Sequence, residues 1–365
     1  VTGGVRRDMG LQVQLCDYGQ WEQEALEPGP ELNEFQPQVV LLLVHAGAAL
    51  DPVSLTSSSS ESVRGRAARF RQLWASLKAK LGAEVVQATV LPPLEPLFGH
   101  AELLVDETLA SRIAELNQRL RSFAREDGVT ILDTEALAMR YGAAHLTNPV
   151  YWHHAKQEIA PHVAPLFGDQ VARLLAAMRG LSGRVLALDL DNTLWGGIIG
   201  DDGIEGIQIG QGSAAGEAFL AFQRYLKLLN ERGVLLAVCS KNDPDVARSA
   251  FTDHPDMHLR LDDFAAFSAS WNDKASCLRQ MASDLNLGLE SFVFFDDNPA
   301  ERELIRRELP MVHVPEPPAD AALFARCLAD GGYFESTSFT TEDRGRAEQY
   351  RVDAIRQREM AASTD

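Results

Sequence analysis

The chain has 365 residues, 45% of them hydrophobic, with 4 cysteines and a formal net charge of −18. That length exceeds one ordinary core and the apolar content suffices for two, so two domains are expected. The acidic balance excludes nucleic acid and anionic membrane as partners, since neither is steered toward a negative surface. With scattered cysteines, no cleavable leader and no apolar run near about twenty residues, it reads as a soluble cytoplasmic protein.

The N-terminal half alternates two periodicities. Apolar runs at Leu11 to Leu15, Val39 to Val44, Glu84 to Val90 and Val129 to Leu132 predict strands. Helical spacing over Ser62 to Leu81 and Leu104 to Arg125 predicts helices between them. Strands separated by helices imply a parallel sheet with flanking helices. Leu91 to Gly99, punctuated by Pro and Gly, and the polar run Ser54 to Ser60 predict loops. Gly180 to Arg184 is the expected junction. It divides the chain into an α/β domain over 1–180, a second α/β domain over 181–335 and an extension over 336–365.

The second half opens on VLALDLDNTLW, an apolar strand ending in Asp189 and Asp191. Alternate side chains of a strand share a face, so both carboxylates are expected on one side of its C-terminal edge, where open α/β sheets bind ligands. One carboxylate can attack phosphorus while the other delivers and removes a proton, and a divalent cation offsets the negative charge. Thr193 lies two residues on. Val234 to Val238 predicts another strand, followed by Cys239, Ser240, Lys241 and Asn242, where a hydroxyl can hydrogen-bond a phosphoryl oxygen. Lys274 opens a predicted helix. Ser291 to Phe295 predicts a third strand, ending in Asp296, Asp297 and Asn298, which supplies oxygen ligands suited to magnesium.

Taken singly, an Asp-Asn-Thr group after a strand is most often a helix cap or turn, and a lysine opening a helix is usually solvated. Four blocks in one order, each at a strand or helix boundary, outweigh those readings. Ile198, Ile199, Ile204 and Ile207 around Asp201-Asp202-Gly203 predict a β-hairpin over Gly196 to Gly210. Arg302, Arg306 and Arg307 read as the solvated face of a helix after Asp297.

These blocks resemble the haloacid dehalogenase superfamily. The resemblance implies that Asp189 is the nucleophile that becomes an aspartyl phosphate and Asp191 the general acid and base. Thr193, Ser240, Lys241, Asn242 and Lys274 would surround the phosphate. Magnesium would sit on Asp189, the Asp191 backbone carbonyl, Asp296 and Asp297. The implied fold is a Rossmann-like parallel sheet with the hairpin as a flap and no large cap.

The surrounding segments LDLDNTLWGGIIGDDGIEGIQIG, VCSKNDP, WNDKASCLRQMASDLNLG and FVFFDDNPAERELI are similar to the FkbH-like family of glyceryl transferases and phosphatases, which serve polyketide assembly lines. This similarity runs from Arg184 to SFTTEDRGRAEQYR. It implies capture of 1,3-bisphosphoglycerate as a thioester on Cys239, dephosphorylation, and transfer of the glyceryl or a related three-carbon unit to the phosphopantetheine arm of an acyl carrier protein. A thiol attacks as thiolate, which a cation such as Lys241 would favour. A cysteine in an apolar strand is otherwise a small buried hydrophobe, the reading given to Cys16, Cys277 and Cys327.

The N-terminal half is similar to the flavodoxin-like fold of SGNH hydrolases, with two departures. The chain begins about where a second strand would, so the first strand and its serine are expected to be missing from what reads as a piece of a larger protein. The residues three before His153 and His154 are Val150 and Tyr151, not the aspartate of an Asp-x-x-His signature. The domain therefore reads as a scaffold or docking surface, with both histidines capping or packing. Thr341 to Glu359 predicts a polar terminal helix. Two other functions stay open: a freestanding magnesium-dependent small-molecule phosphatase using the same aspartates, and a non-catalytic binding module of an assembly line.

Overall fold

The computed structural model describes residues 9–50, 55, 60–340 and 345, with 60–62 through their backbone alone. The chain divides into two compact units, Val1–Leu174 and Leu175–Asp365. Among the described residues no helix is long and apolar enough to cross a membrane.

In chain order the first unit carries α1 (Trp21–Leu26), α2 (Pro30–Phe35), β1 (Val39–Leu42), α3 (Ala46–Ala49), α4 (Ser60–Leu81), β2 (Glu84–Ala88) and α5 (Leu109–Asp127). Then come β3 (Thr130–Leu132), α6 (Thr134–Tyr141), α7 (Ala143–Leu146), α8 (Pro149–Ala155) and α9 (Ala164–Met178), within which the division falls. The strands form a parallel sheet in the order β1-β2-β3. Its core is built at helical spacing, with Phe70, Leu73, Trp74 and Leu77 from α4 and Ile113, Leu116 and Leu120 from α5. Gln87 and Asn117, both fully buried, are paired. The Trp74 indole N–H donates to Gln87 Oε1 at 3.0 Å, and Asn117 bonds both the N–H and the carbonyl of Val90 at 2.8 Å.

Several expectations for this unit are corrected. Leu11 to Leu15 forms no strand; it is loop, with Leu15 82% exposed, because no neighbouring strand receives it. The second long helix begins at Leu109, not Leu104, because the Thr108 hydroxyl accepts from Ser111 N–H at 3.1 Å and caps it there. His153 and His154 are exposed in the last turn of α8 and pack against no core. Most of the run Ser54 to Ser60 lies outside the described residues, and Ser60 itself opens α4.

The second unit carries β4 (Val185–Leu188), α10 (Ile199–Asp202), α11 (Ala214–Glu231), β5 (Leu235–Ser240), α12 (Pro244–Asp253) and β6 (Phe264–Ala269). It continues with α13 (Lys274–Asp284), β7 (Phe292–Phe295), α14 (Pro299–Glu308) and α15 (Phe324–Gly331). All four strands are parallel, in the order β6-β5-β4-β7. Leu186, Leu188, Leu236, Val238, Val293 and Phe295 pack one face with Phe222 and Leu226 of α11. Val185, Ala187, Leu235, Ala237, Phe292 and Phe294 pack the other with Leu278 and Met281 of α13. Burial on both faces explains why these strands read as unbroken apolar runs.

The expected hairpin is not formed. One antiparallel bridge joins Gly196 to Gln208, and between them Ile199–Asp202 turns into a short helix. Asp202 Oδ2 accepts from Ile198 N–H at 2.8 Å, and Gly197 makes room for this carboxylate: at its φ of 92° a Cβ would stand 2.6 Å from Asp202 Oδ2. Strand β6 was not foreseen, since FAAFSA carries too little β-branched character to stand out. Apart from Gly345, the helix expected over Thr341 to Glu359 falls outside the described residues.

Candidate active site

Register places the key side chains. Leu188 lies opposite Val238 on one side and Phe295 on the other. One residue further, Asp189, Cys239 and Asp296 form a row across three strands, on the face covered by α13. Asp273 starts α13 by accepting from Ser276 N–H at 2.8 Å. The next residue, Lys274, reaches over the row. Its Nζ stands 3.0 Å from Asp189 Oδ1 and 2.6 Å from Asp296 Oδ2.

Lys274 is therefore buried, not solvated. Burial alone would discharge the ammonium, but the charges of Asp189 and Asp296 outweigh it and hold the group well above its ordinary range. Asp296 also accepts from Asn298 N–H at 2.9 Å. Burial, reinforced by the Asp189 charge, pushes its carboxyl up despite Lys274. Burial raises Asp297 in the same direction.

Carboxylate oxygens of Asp189, Asp296 and Asp297 lie within 4.8 Å of one another. Asp189 Oδ1 is buried and, although ion-paired to Lys274, receives no hydrogen bond. Three converging acidic oxygens fit a hard divalent cation like magnesium. Arg302 braces the loop that carries two of them, donating from Nη1 to the carbonyls of Asp296 at 2.9 Å and Asp297 at 2.6 Å. This arginine, expected on a solvated face, is buried and also ion-paired to Glu316 at 2.8 Å.

Asp191 is held differently. Its Oδ1 accepts from the Trp195 indole N–H at 2.9 Å and from Ile199 N–H at 3.0 Å, and its Oδ2 from Asn242 Nδ2 at 3.0 Å. Asn192 makes the turn possible by adopting a φ of 53°, and its side chain accepts from Gly197 N–H at 3.0 Å. Burial lifts the Asp191 carboxyl above the usual range, and the Asp189 charge adds to this. Its carboxylate is not one of the three that converge.

The remaining expected residues are placed unevenly. Thr193 is fully buried, and its hydroxyl has no hydrogen-bond partner. Ser240 is buried at the end of β5, where its carbonyl accepts from Ser270 N–H at 3.0 Å. Lys241 is exposed and paired to Glu301 at 2.6 Å, and the Asn242 amide donates to Asp191 at 3.0 Å. Strand β5 runs two residues past its expected end and takes Cys239 with it. Register sets Cys239 on the face of Asp189, fully buried. Its thiol donates to the carbonyl of Lys274 at 3.7 Å. A hydrogen bond with Cys277 and then burial hold it well above the thiol range.

Sequence reasoning missed two contributors: Trp195 as the donor to Asp191, and Arg302, which looked like surface charge. Each reaches a partner four to six residues away, through loop geometry that no periodicity discloses.

The two parallel sheets and the acidic strand-end cluster define an α/β protein with a cation-ready carboxylate site. No protein-family model and no curated protein sequence matches the chain. Among solved structures it is similar to the crystal structure of the N-terminal part of protein BF1531 from Bacteroides fragilis, which contains a phosphatase domain and is complexed with Mg. The two are 30% identical with a TM-score of 0.82, the match covering 92% of this chain and 89% of that one. The chain belongs to the same family as this Bacteroides protein.

Proposed function

We propose that the second unit is a magnesium-dependent phosphatase of the haloacid dehalogenase type. The observation that carries this is the convergence of carboxylate oxygens of Asp189, Asp296 and Asp297 within 4.8 Å of one another at the strand ends. The phosphatase domain and Mg of the Bacteroides relative support it. In this reading an Asp189 oxygen attacks the phosphorus of a monoester. Asp191, its carboxyl raised by burial and aimed by Trp195, Ile199 and Asn242, protonates the departing alkoxide and then takes a proton from the attacking water. Lys274 spreads positive charge over the row. Asp189, Asp296 and Asp297 would hold magnesium, which when bound supplies neutralising charge for phosphoryl oxygens. The test is phosphate release from a panel of phosphomonoesters, with magnesium or with chelator. Release that ignores chelation and survives Asp189→Asn would reject the proposal.

A narrower reading adds acyl transfer: a three-carbon acyl phosphate captured on Cys239 and passed to a carrier protein. The place of Cys239 in the Asp189 row favours it; full burial and a thiol held in its protonated form oppose it. Intact-protein mass after incubation with 1,3-bisphosphoglycerate and magnesium separates the two. An adduct lost in Cys239→Ala supports transfer, and absence of any adduct leaves the phosphatase. For the first unit we propose a scaffold or docking role, in keeping with the exposure of His153 and His154.

A further inference from the structure

Beneath the carboxylate row lies a second cluster that the phosphatase chemistry does not use. Cys239 on β5 lies opposite Ser268 on β6. Facing both, one turn into α13 from Lys274, is Cys277, whose sulfur lies 3.8 Å from the Ser270 hydroxyl and shares a buried cluster with Cys239. Both cysteines are free thiols, as are Cys16 and Cys327. Cys239 and Cys277 belong to one buried cluster between β5 and α13, so side-chain rotation and a small closure bring their sulfurs to the disulfide separation of about 2 Å.

Their chemistry is asymmetric. The contact with Cys239 pulls the Cys277 thiol below the ordinary range, burial opposes this, and the two serines add to the pull. Cys277 also stands in the first turn of a helix, where the backbone favours a thiolate. It keeps 8% of its surface exposed, whereas Cys239 keeps none. Cys277 is thus suited to meet a small oxidant and Cys239 to resolve the product.

We infer that Cys277 and Cys239 are a peroxide-oxidisable dithiol whose disulfide ties the first turn of α13 to β5 and disables the site above. The Cys277 thiolate attacks one oxygen of hydrogen peroxide; the S–O bond forms, the O–O bond breaks, and the departing hydroxide takes a proton to become water. The Cys239 sulfur then attacks the Cys277 sulfur. The S–S bond forms as the S–O bond breaks, and the Cys239 proton leaves with the hydroxide as a second water. One peroxide is reduced by two electrons, and two thiols are oxidised. The disulfide removes the bond from Cys239 to the Lys274 carbonyl and moves the turn that aims Lys274 at Asp189 and Asp296.

Loss of activity on oxidation rests on the phosphatase reading; the disulfide does not. The full chain, loaded with magnesium, is treated with hydrogen peroxide and digested without reductant. A linked peptide joining Cys239 to Cys277 is expected, with phosphate release down by at least about tenfold and both reversed by dithiothreitol. Cys277→Ser, or Cys277→Ala if the serine variant does not fold, keeps its basal activity and resists peroxide. Cys239→Ser halts at a sulfenic acid on Cys277 that dimedone captures. Failure to recover the linked peptide, oxidation first at Cys16 or Cys327, or equal peroxide sensitivity in the folded Cys277 variant would overturn the inference. If no phosphomonoester is turned over at all, the linked peptide still decides it.

Discussion

The indole N–H of Trp195 donates to Asp191 Oδ1 at 2.9 Å, so the acid is aimed by a side chain of its own loop. Trp195 is itself fully buried and stacked edge-on against Phe251, with ring centroids 5.6 Å apart. A donor to the charged form lowers a carboxyl pKa, so removing it raises one. Because Asp191 must be protonated to assist the leaving group, phosphate release falls as pH rises through its pKa. Trp195→Phe is expected to move that falling limb upward by about half to one unit and to lower kcat several-fold. A pH–rate profile checks this, and an unmoved limb would remove Trp195 from the positioning of Asp191.

Asp189→Asn should abolish phosphate release by about three orders of magnitude or more while leaving the melting temperature within a few degrees, since the amide keeps the shape of the strand end. Chelation of the parent should have the same effect on turnover. Single-turnover assays and thermal melts on the same preparations separate lost chemistry from lost fold.

Lys274→Met leaves Asp189 and Asp296 facing each other without their shared cation. Removing one partner of a buried ion pair costs about 3–5 kcal/mol. The variant should therefore melt well below the parent in chelator, and magnesium should raise its melting temperature by more than it raises the parent's. Equal gains in the two proteins would show that the cation does not enter this cluster.

Glu158 of the first unit faces His45 at 3.7 Å, and burial pushes its carboxyl from an ordinary value of 4.5 up to about 7. Burial, Lys156 and His153 meanwhile lower His45, so no charged imidazole compensates. A raised carboxyl means that the folded state binds the proton more tightly. Stability is then fully present below about pH 4.5 and is lost as pH rises to about 7, a decline of about 3 kcal/mol. Glu158→Gln should flatten that decline and raise the melting temperature at pH 8, measured by denaturation across the interval. A parallel pair of stability curves would contradict it.

What the sequence discloses follows from the range of the interaction that sets each feature. Asp189, Asp191 and Asp296 are readable because a strand buried on both faces is a pure apolar run, and its end is marked by the first charge. Helix α4 is readable from its spacing and α13 from the Asp273 cap that precedes it. The loop after Asp191 was misread because its isoleucines suggested alternation, while one local bond from Ile198 to Asp202 favours a turn of helix. Lys274 taken singly looks solvated because its partners come from strands elsewhere in the chain, and only the combination of blocks points to the site. The contact between Cys239 and Cys277 has no local trace, for it exists only once α13 lies on β5.

Strands β4 and β7 are neighbours in the sheet, although one is the earliest and the other the last of its four strands to leave the ribosome. A contact so distant along the chain closes late. Asp189 must therefore wait in the growing polypeptide until Phe292–Phe295 docks beside it and delivers Asp296 and Asp297. Lys274 is synthesised just ahead of that strand, so the mutually repelling carboxylates meet only after the ammonium that reconciles them has been made. A nascent chain stopped before β7 would hold three-quarters of this sheet and only one of its three converging carboxylates.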